Sequence, residues 1–370
     1  MKILVMNFEY PPLGGGASPV TYEISRGLAR LGHSVTVVTM SYRGLPKHEK
    51  TDDIDIYRVK SIRRKKEMCG TIEMLSYVIS SIFFLRKHLK NNKYDICHCH
   101  FIIPTGIIAL WAKKRYGLEY VITSHGSDVP GYNSDRFSFQ HKFTRPLLKL
   151  ICKNAKQLCS PSVYLKNLTT SQIGNYDIRH IPNGIDLENF KLDLSRTKKN
   201  IILTSGRLLK RKGFHTLIRA VHDTELPFEV HIAGDGPYRE KLEKLAANSK
   251  TKIVFHGWID KGSGELIGLY EDASIYVLAS SKENASIALL EGMAAKCVVI
   301  TTNVSGCPET VGDSGYLIDY DDSDTLRDIL KRLSEDRALI EEYQRKSYAR
   351  LQERFLWPDI ITQYIAEFAK

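Results

Sequence analysis

The chain has 370 residues, of which 43% are hydrophobic and 26% are charged. This composition is typical of a folded globular protein, and the length predicts two domains because one compact core rarely grows this large. No apolar run reaches the roughly 18–20 residues of a membrane-spanning helix, and the seven cysteines favour reduced thiols over a disulfide framework. Residues 1–7 are too short an apolar segment for a signal peptide, so we expect a cytoplasmic protein.

The formal net charge of +11 is concentrated in the first half of the chain. Residues 1–180 contain 27 Lys and Arg against 13 Asp and Glu, whereas the remaining residues are slightly acidic. This asymmetry predicts an anionic partner for the first half alone, for which a nucleic acid, an anionic membrane surface and a phosphorylated lipid are candidates. The sequence has no RNP-type aromatic motif, zinc-finger spacing or helix-turn-helix signature, so we do not expect a nucleic-acid partner.

Apolar runs of strand length alternate with helical patterns through both halves. The first half is predicted to have strands at 2–8, 34–39, 94–100 and 120–124, and helices at 19–31, 72–85 and 106–116. The second half is predicted to have strands at 201–205, 228–233, 253–256, 275–279, 298–301 and 315–318, and helices at 213–221, 238–247, 264–271, 286–295 and from 323 onward, with a break at Trp357-Pro358. The Ile/Val/Leu-rich runs indicate buried parallel strands, so we predict two doubly wound α/β domains with ligands at the carboxyl ends of the strands.

A glycine loop follows the first predicted strand. Gly14, Gly15 and Gly16 precede Ser18 and Pro19, which we interpret as the N-cap and the first residue of a helix. The glycine amides are therefore expected at a helix N-terminus, where they could bind an anion. The spacing is not G-x-G-x-x-G, which disfavours a dinucleotide-dependent dehydrogenase.

Histidines occur near the ends of two neighbouring predicted strands. His125 and Asp128 directly follow the strand at 120–124, and at the carboxyl edge of a sheet they are candidate site residues. The run Cys97-His98-Cys99-His100 belongs to the strand at 94–100. Because side chains alternate along a strand, the cysteines face one side and the histidines the other, which argues against a metal site formed by all four.

Charged side chains follow two predicted strands of the second half. The loop at 205–213 carries four cations in six residues, among them Arg207 and Lys212, where a diphosphate would find counter-charges. Glu283 follows a later strand, and Glu291 lies about two turns into the next helix, about 80° from it around the helix axis. The helix N-terminus between them suits a phosphate, whereas the carboxylates suit sugar or ribose hydroxyls. Two unrelated surface glutamates are the alternative interpretation.

Taken together and in this order, the motifs resemble those of the retaining glycosyltransferases of family 4, also called group 1. These enzymes have the GT-B fold, two Rossmann-like doubly wound α/β domains that face a central cleft. The matching segments cover nearly the whole chain: Gly14–Gly16, Asp95–His100, His125–Asp128, Pro182–Asp186, Gly206–Leu208 with Lys212–Gly213, Gly234–Pro237, and the E-x7-E pair Glu283/Glu291. The resemblance implies an acceptor-binding domain at 1–185, joined by a C-terminal helix at about 357–370, and a donor-binding domain at 186–356.

The resemblance also implies roles for individual residues. Arg207 and Lys212 would hold the donor diphosphate, Glu291 the ribose and Glu283 the hydroxyls of the transferred sugar, while His125 would flank that sugar. The implied catalytic residues are therefore His125, Glu283, Arg207 and Lys212. The implied donor-binding residues are Gly15, Gly16, Arg207, Lys212, Gly234, Asn284, Ala285, Ser286, Ile287 and Glu291. Gly14, Asp128 and Asn183 are implied on the acceptor side or in the cleft.

The implied activity is transfer of a hexose-type sugar from a UDP- or GDP-sugar, with retention of configuration, to a glycan or lipid-linked acceptor in cell-surface polysaccharide or glycolipid synthesis. Such enzymes need no tightly bound cofactor and no essential metal. One departure from the family pattern is Asn284-Ala285, where relatives have Gly or Pro followed by an aromatic residue or Cys. A non-catalytic protein that binds sugar nucleotides or glycans on the same scaffold is the alternative.

A basic segment at 61–66 precedes the apolar helix predicted at 72–85. Packing of this helix into the core of the first domain is the favoured interpretation. The alternative is that the basic segment and the helix rest on an anionic membrane, which would make the protein peripheral on the inner face of the cytoplasmic membrane.

Overall fold

The computed structural model describes residues 1–132, 138–188, 190–260 and 262–370, without the side chains of 138–143. The chain divides into two compact units, which we call unit 1 and unit 2. Unit 1 comprises Met1–Pro182 and Trp357–Lys370, and unit 2 comprises Asn183–Leu356. Among the described residues, no helix is long and apolar enough to cross a membrane.

Unit 1 contains a mostly parallel sheet with helices between its strands. Its elements are β1 (Lys2–Met6), α1 (Ala17–Arg30), β2 (Ser34–Met40), β3 (His48–Thr51), β4 (Ile54–Val59), α2 (Thr71–Asn91), β5 (Ile96–His100), α3 (Thr105–Tyr116), β6 (Tyr120–Thr123), α4 (Ser138–Asn154), β7 (Gln157–Ser160), α5 (Val163–Gln172) and β8 (Ile178–His180). The described strands are ordered β3-β4-β2-β1-β5-β6-β7-β8, and only the β3–β4 pair is antiparallel. The central strands are buried along almost their whole length, which explains their continuous apolar sequences.

The predicted strands of the first half are confirmed as β1, β2, β5 and β6, but four further strands escaped prediction. The edge strand β3 reads His-Glu-Lys-Thr and is largely exposed, so it carries no apolar pattern. The prediction that Ser18 is the N-cap of α1 is wrong, because the helix begins at Ala17 and its N-cap is Gly16. Pro19 therefore lies at the third helical position, which is still within the first turn, where the missing N–H costs little.

Unit 2 repeats the pattern with a sheet in which every described strand pair is parallel. Its elements are β9 (Lys199–Ser205), a 3-10 turn (Lys210–Lys212), α6 (Phe214–His222), β10 (Glu229–Ala233), α7 (Arg239–Ala246), β11 (Ile253–Gly257), α8 (Gly264–Asp272), β12 (Ala273–Leu278), α9 (Ile287–Ala294), β13 (Val298–Thr302), α10 (Cys307–Val311), β14 (Gly315–Ile318), α11 (Ser323–Glu335) and α12 (Arg337–Arg354). The strands are ordered β11-β10-β9-β12-β13-β14. The predicted alternation of strands and helices in this half is confirmed.

The central strand β12 separates two apolar layers of unit 2. Ile275 and Val277 pack into one buried cluster and Tyr276 and Leu278 into the other, as the period of two along a strand requires. All six residues of β12 are buried, so the loop that follows it leaves a rigid element. Loops at the ends of such strands hold functional side chains in fixed positions.

The chain enters and leaves unit 2 at neighbouring points. The backbone N–H of Ile185 donates to the carbonyl oxygen of Phe355 at 2.8 Å, and Ile185 forms a parallel bridge with Leu356. Helix α13 (Trp357–Ala369) then belongs to unit 1, where it packs on α1. The contact is close at Gly27, since a Cβ there would lie 2.6 Å from the Ile361 side chain.

Candidate functional site

At the carboxyl edge of the unit 2 sheet, a lysine and a glutamate from distant parts of the chain form an ion pair. Lys212 lies in the 3-10 turn after β9, and its Nζ is 2.5 Å from Oε1 of Glu283 in the loop after β12. The two side chains are 19% and 13% exposed, so solvent screens their attraction less than at an open surface. The pair therefore presents a cation and a hydrogen-bond-accepting carboxylate side by side.

Glycine allows the two loops to meet. Gly213 has φ +72°, and a Cβ at this position would lie 1.7 Å from the carbonyl oxygen of Ala279 at the end of β12. The N–H of Ser281 donates to the carbonyl oxygen of Arg211 at 2.8 Å. Only glycine fits this left-handed conformation and this approach of one backbone to another, so the sequence Lys212-Gly213 determines where the lysine lies.

Glu291 is the second predicted carboxylate of unit 2, and it is held by a hydroxyl network. The residue lies in α9 and is 7% exposed, and the Tyr270 O–H donates to its Oε2 at 3.0 Å. Oγ of Ser205 is 2.9 Å from the hydroxyl oxygens of both Tyr270 and Tyr276. Burial and the charge of Glu291 raise the pKa of Tyr270, so this phenol stays protonated and remains a donor.

The segment between the glutamates forms the start of α9. Its N-cap is Ser286, whose side chain makes no capping hydrogen bond. Before the helix, Nδ2 of Asn183 donates to the carbonyl oxygen of Ala285 at 3.0 Å. Asn284, Ala285 and Ile287 are half-buried, so the segment lies at the protein surface with its backbone fixed at Ala285.

Arg207 and Gly234 lie in adjacent loops of the same sheet edge. A Cβ at Gly234 would lie 1.9 Å from the carbonyl oxygen of Gly206, and the N–H of Leu208 donates to the carbonyl oxygen of Asp235 at 2.9 Å. The Arg207 side chain is exposed, and within the described ranges its guanidinium has no hydrogen-bond or ion-pair partner. Arg207 is therefore a cation that the described protein groups leave unneutralised.

In unit 1, the predicted His125 is paired with a second histidine. Nε2 of His125 is 3.0 Å from Nδ1 of His100, the last residue of β5, so one of the two rings donates a hydrogen bond to the other. Burial lowers the pKa of His125 to about 3. The pKa of His100 is lowered well below its usual value by burial and by the neighbouring His98 and His125. Both imidazoles are therefore neutral near pH 7 and can exchange hydrogen bonds with hydroxyls.

Asp128 holds the loop that carries His125. Its Oδ1 accepts from the N–H groups of His125 and Gly126, both at 3.0 Å, and its Oδ2 accepts from the N–H of Ile102 at 2.7 Å. Asp128 is 4% exposed, and this burial raises its pKa while the backbone hydrogen bonds oppose the rise. The structure thus turns Asp128 inward and places His125 at the sheet edge.

A carboxylate already accepts a hydrogen bond from one backbone N–H of the predicted glycine loop. Oε2 of Glu9 accepts from the N–H of Gly15 at 3.1 Å, and Gly14 has φ +99° with the Glu9 side chain directly beside it. A Cβ at Gly15 or Gly16 would meet no atom within 4 Å, so both glycines face open space. The loop accommodates an anionic group at the Gly15 amide.

The cysteines and histidines of β5 point to opposite sides of the sheet. The Sγ atoms of Cys97 and Cys99 are 3.6 Å apart within the buried core, whereas the ring of His98 contacts Tyr364 and Phe368 of α13. In the part of the chain that the structure describes, no group of three or more metal-ligating side chains is close enough to hold an ion.

Two family models together match most of the chain. The model described as Glycosyltransferase Family 4 matches residues 14–189, and the model described as Glycosyl transferases group 1 matches residues 187–352. The chain belongs to glycosyltransferase family 4.

Relatives with assigned activities are similar to this glycosyltransferase over much of their length. The N-acetyl-alpha-D-glucosaminyl L-malate synthase of Bacillus anthracis is 26% identical over 98% of this chain and 96% of its own. The UDP-Gal:alpha-D-GlcNAc-diphosphoundecaprenol alpha-1,3-galactosyltransferase of Escherichia coli is 26% identical over 74% of each chain.

Solved structures identify the fold of this glycosyltransferase as GT-B. The sucrose-phosphate synthase of Thermosynechococcus elongatus superposes with a TM-score of 0.84 at 19% identity, covering 100% of this chain and 98% of its own. The HepE protein of Anabaena, solved in complex with UDP, has a TM-score of 0.78 at 16% identity and full coverage of both chains. Two Rossmann-like α/β units were the predicted architecture, and this prediction is confirmed.

Some residues at the two sheet edges of this glycosyltransferase were not predicted. His100 could have been found, because β5 and β6 pair in parallel with His100 opposite Thr123, and both strands therefore end at the same edge. Tyr270, Ser205 and Tyr276 carry no such signal, since they come from different elements and meet only in the folded unit.

Proposed function

We propose that this glycosyltransferase transfers a hexose-type sugar from a UDP- or GDP-sugar to a glycan or lipid-linked acceptor with retention of configuration. The observation that carries the proposal is the Lys212–Glu283 ion pair at the carboxyl edge of the unit 2 sheet. A UDP-sugar is supported by the UDP-Gal donor in the name of the Escherichia coli relative and by the UDP complex of the Anabaena protein.

In this proposal, the donor exchanges partners with the ion pair. The diphosphate takes the ammonium of Lys212 from Glu283 and also binds the unneutralised guanidinium of Arg207. Glu283 is then free to accept hydrogen bonds from hydroxyls of the transferred sugar. Its neighbours Asn284 and Ala285, which depart from the family pattern, border the same sugar and contribute to sugar specificity.

The ribose is assigned to Glu291. The Tyr270 O–H donates to Oε2 of Glu291, and Ser205 links Tyr270 to Tyr276, so this network orients the carboxylate that would accept from a ribose hydroxyl. Backbone N–H groups from Asn284 to Ile287 would support the phosphates, as a helix N-terminus does. The backbone would approach the donor closely where side chains are absent, at Gly15, Gly16 and Gly234.

The proposed chemical step breaks the bond between the anomeric carbon and the diphosphate oxygen. The acceptor oxygen bonds to the same face of the sugar, and its proton passes to the departing phosphate oxygen. Lys212 and Arg207 stabilise the negative charge that develops on the leaving group, and we assign no metal to this step. His125 would contribute a neutral imidazole to the reacting sugar, because its lowered pKa keeps it unprotonated.

The domains and location follow the same proposal. Residues 1–185 with about 357–370 would bind the acceptor, with Gly14 and Asn183 on the acceptor side, and residues 186–356 would bind the donor. We place the enzyme in the cytoplasm, peripheral on the inner face of the membrane, in cell-surface polysaccharide or glycolipid synthesis. The lipid-diphosphate acceptor in the name of the Escherichia coli relative supports a lipid-linked acceptor.

Three measurements test the proposal. A thermal-shift screen against UDP-, GDP- and ADP-sugars should raise the melting temperature only with the true donor. That donor should then be slowly hydrolysed, with release of nucleoside diphosphate that is lost in Glu283→Ala and Arg207→Ala. Release that survives both substitutions would contradict the enzyme assignment, and binding without any turnover would favour the non-catalytic sugar-nucleotide-binding protein. The anomeric configuration of the product by NMR decides retention.

A further inference from the structure

The outward face of α2 carries an apolar row that we call the α2 stripe: Ile72, Leu75, Ile79 and Phe83. These side chains are 71%, 58%, 49% and 66% exposed, respectively. At about 100° per residue they lie within about 80° of one another around the helix axis. The stripe is therefore a continuous apolar surface rather than four scattered residues.

The opposite face of α2 packs into the core of unit 1. Tyr77, Val78 and Leu85 are buried, and the Tyr77 O–H donates to the carbonyl oxygen of Val38 at 2.8 Å. The favoured interpretation of the sequence, a helix packed into the core, accounts for this inner face alone. Contiguous apolar rows of this kind on an otherwise charged surface indicate an interaction site.

Basic residues stand at both ends of the α2 stripe. Arg64, Lys65 and Lys66 are exposed before the helix, and Arg86 and Lys90 are exposed at its end. At about 100° per residue, Arg86 and Lys90 project from the same side of α2 as the stripe. The stripe is thus bounded by positive charge along the helix direction.

The acidic side chain of α2 is turned away from this surface. Glu73 is 9% exposed, its Oε1 accepts from the N–H of Arg64 at 2.7 Å and its Oε2 accepts from the N–H of Gly70 at 2.5 Å. These bonds fix the basic segment to the start of the helix. Glu67 is exposed next to Lys66, but Arg64, Lys65 and Lys66 outnumber it, so the net charge presented beside the stripe is positive.

A cleft beside the basic segment offers room for an anionic headgroup. It has a volume of about 530 Å³ and is lined by Ser41, Tyr42, Arg43, Ser61, Ile62, Arg63 and Arg64. Ile62 is 51% exposed, and its N–H donates to Oγ of Ser76 on α2 at 2.9 Å, which joins the cleft to the helix. Basic and hydroxyl side chains at such a cleft suit a phosphate group.

The same type of surface continues onto α3. A groove of about 380 Å³ is lined by Ile107, Leu110, Trp111, Lys114 and Arg115. The Tyr116 O–H donates to the carbonyl oxygen of Arg86 at 3.4 Å, which links the end of α3 to the end of α2. Tryptophan and tyrosine beside Lys and Arg are typical of side chains that lie at the boundary between lipid and water.

We propose that the α2 stripe and its flanking basic residues form a docking surface for an anionic lipid membrane. The stripe would enter the boundary between headgroups and acyl chains, while Arg64, Lys65, Lys66, Arg86 and Lys90 bind lipid phosphates. An apolar helix face with basic ends has the character of an interfacial helix. A second copy of the chain is the weaker candidate, because two such faces would bring like charges together.

This inference deepens the proposed peripheral location by naming the surface, and it rests on that location but not on the transfer reaction. Flotation with vesicles is therefore measured without donor or acceptor, so a failure of docking and a failure of sugar transfer are separate results. The wild-type chain is mixed with vesicles of phosphatidylcholine alone and of phosphatidylcholine with phosphatidylglycerol. We expect binding to the anionic vesicles to be at least about tenfold stronger, since each basic residue near such a surface contributes about fivefold.

Two variants separate the apolar and electrostatic contributions. Leu75→Ser/Ile79→Ser/Phe83→Ser should reduce binding to anionic vesicles by about tenfold or more, because exposed side chains lose their apolar insertion without disturbing the core. Arg64→Gln/Lys65→Gln/Lys66→Gln should reduce it by a similar factor and should also reduce its dependence on salt. Circular dichroism and the melting temperature should be unchanged in both.

Matched controls come from exposed residues of unit 2. Lys241→Gln/Lys244→Gln/Lys250→Gln removes three positive charges, as the basic α2 variant does. Trp258→Ser removes an apolar side chain that is 70% exposed. Both controls should bind anionic vesicles as the wild type does.

Equal binding to both kinds of vesicle, no binding, or unchanged binding by the two α2 variants would overturn the proposal. A dimer that depends on the stripe, without vesicle binding, would instead identify a second copy as the occupant and would also overturn it.

Discussion

The two sheets of this glycosyltransferase end in loops of opposite character. At the carboxyl edge of unit 1, His100 and His125 are neutral, and Asp128 is buried among backbone N–H groups. At the carboxyl edge of unit 2, Lys212 and Glu283 are charged, partly accessible and paired with each other. The same architecture thus carries neutral, buried hydrogen-bonding groups at the sheet edge of unit 1 and a charged ion pair at the sheet edge of unit 2.

This difference indicates how each edge deals with a ligand. Neutral imidazoles exchange hydrogen bonds at little electrostatic cost, whereas an ion pair has to open before either member can bind a phosphate or a hydroxyl. Substitutions at the unit 2 edge should therefore alter catalysis most, and acid should affect the stability of unit 1 through its buried histidines.

Removing the cation of the ion pair should have the largest effect. We expect Lys212→Met to lower kcat/KM for sugar transfer by about 10²–10³-fold, the range observed when one group that stabilises developing negative charge is lost. Initial rates of transfer at saturating acceptor give the measurement. Lys210→Met, in the same 3-10 turn but exposed, is the control and should retain most activity. Equal losses in the two variants would show that only the net charge of the loop matters.

Acid should destabilise unit 1 through His98. Burial lowers the pKa of His98 to about 3, from 6.5 in the unfolded chain, so the unfolded state binds a proton below pH 6.5 and the folded state does not until near pH 3. Stability is therefore complete above pH 6.5 and falls as the pH is lowered, by about 2 kcal/mol at pH 5 for this residue.

The pH dependence of urea unfolding, followed for the unit 1 transition, checks this expectation. His98→Phe should show a smaller loss between pH 7 and pH 5 than the wild type, because its share of the proton uptake is gone. His180→Phe, at an exposed position, should retain the wild-type pH dependence. A wild-type free energy that stays constant over this range would contradict the neutral state of the buried ring.

Breaking the hydroxyl network of unit 2 should have a moderate effect on donor binding. Tyr270→Phe removes the hydrogen bond to Glu291, and we expect the KM for the donor to rise by about five- to tenfold, which corresponds to a net hydrogen bond of about 1 kcal/mol. Tyr276→Phe is the comparison, because its hydroxyl contacts Ser205, one step further along the network, and it should raise the KM less than Tyr270→Phe does. The assignment of Glu291 to the ribose predicts that Tyr270→Phe changes KM more than kcat, and a pure loss of kcat would argue against it.

The smallest effect is expected at Asn183. Asn183→Ala removes the hydrogen bond to the carbonyl oxygen of Ala285 and should lower the free energy of unfolding of unit 2 by about 1 kcal/mol. Because Ala285 adjoins Asn284, the relative rates with different hexose donors should also shift. Asn200→Ala, at an exposed position in β9, provides a comparison for the stability effect. Unchanged donor preference with lowered stability would limit Asn183 to a structural role.

The sequence was sufficient to predict the elements that contain long apolar runs. Strands β9 and β12 could be predicted because their Ile, Val and Leu residues are buried on both faces. Strands β3 and β7 could not, since β3 is exposed and β7 is only four residues long with a polar residue at each end. A short polar segment becomes a strand only when a neighbour is already in place to pair with it.

The candidate site shows the same limit. Gly213, Lys212 and Glu283 were identifiable as candidates because they follow predicted strands, at the edge of a parallel sheet where ligands bind. The ion pair between Lys212 and Glu283 was not predicted, since it depends on the tertiary approach of Gly213 to Ala279. Membrane docking of the helix at 72–85 was the alternative interpretation of the sequence, but its outward face was not predicted, because the helix is apolar on both sides and only the packing of Tyr77 and Leu85 reveals which side is inside.

The hydrogen bond between Ile185 and Phe355 has a consequence for how such proteins diversify. Since the chain enters and leaves unit 2 at paired backbone positions, unit 2 has the connectivity of an insertion between Pro182 and Trp357. A recombination event that replaced residues 183–356 as one block would exchange the whole charged sheet edge while leaving the core of unit 1 intact. Chimeras cut at these two positions therefore offer a route to new combinations of specificity.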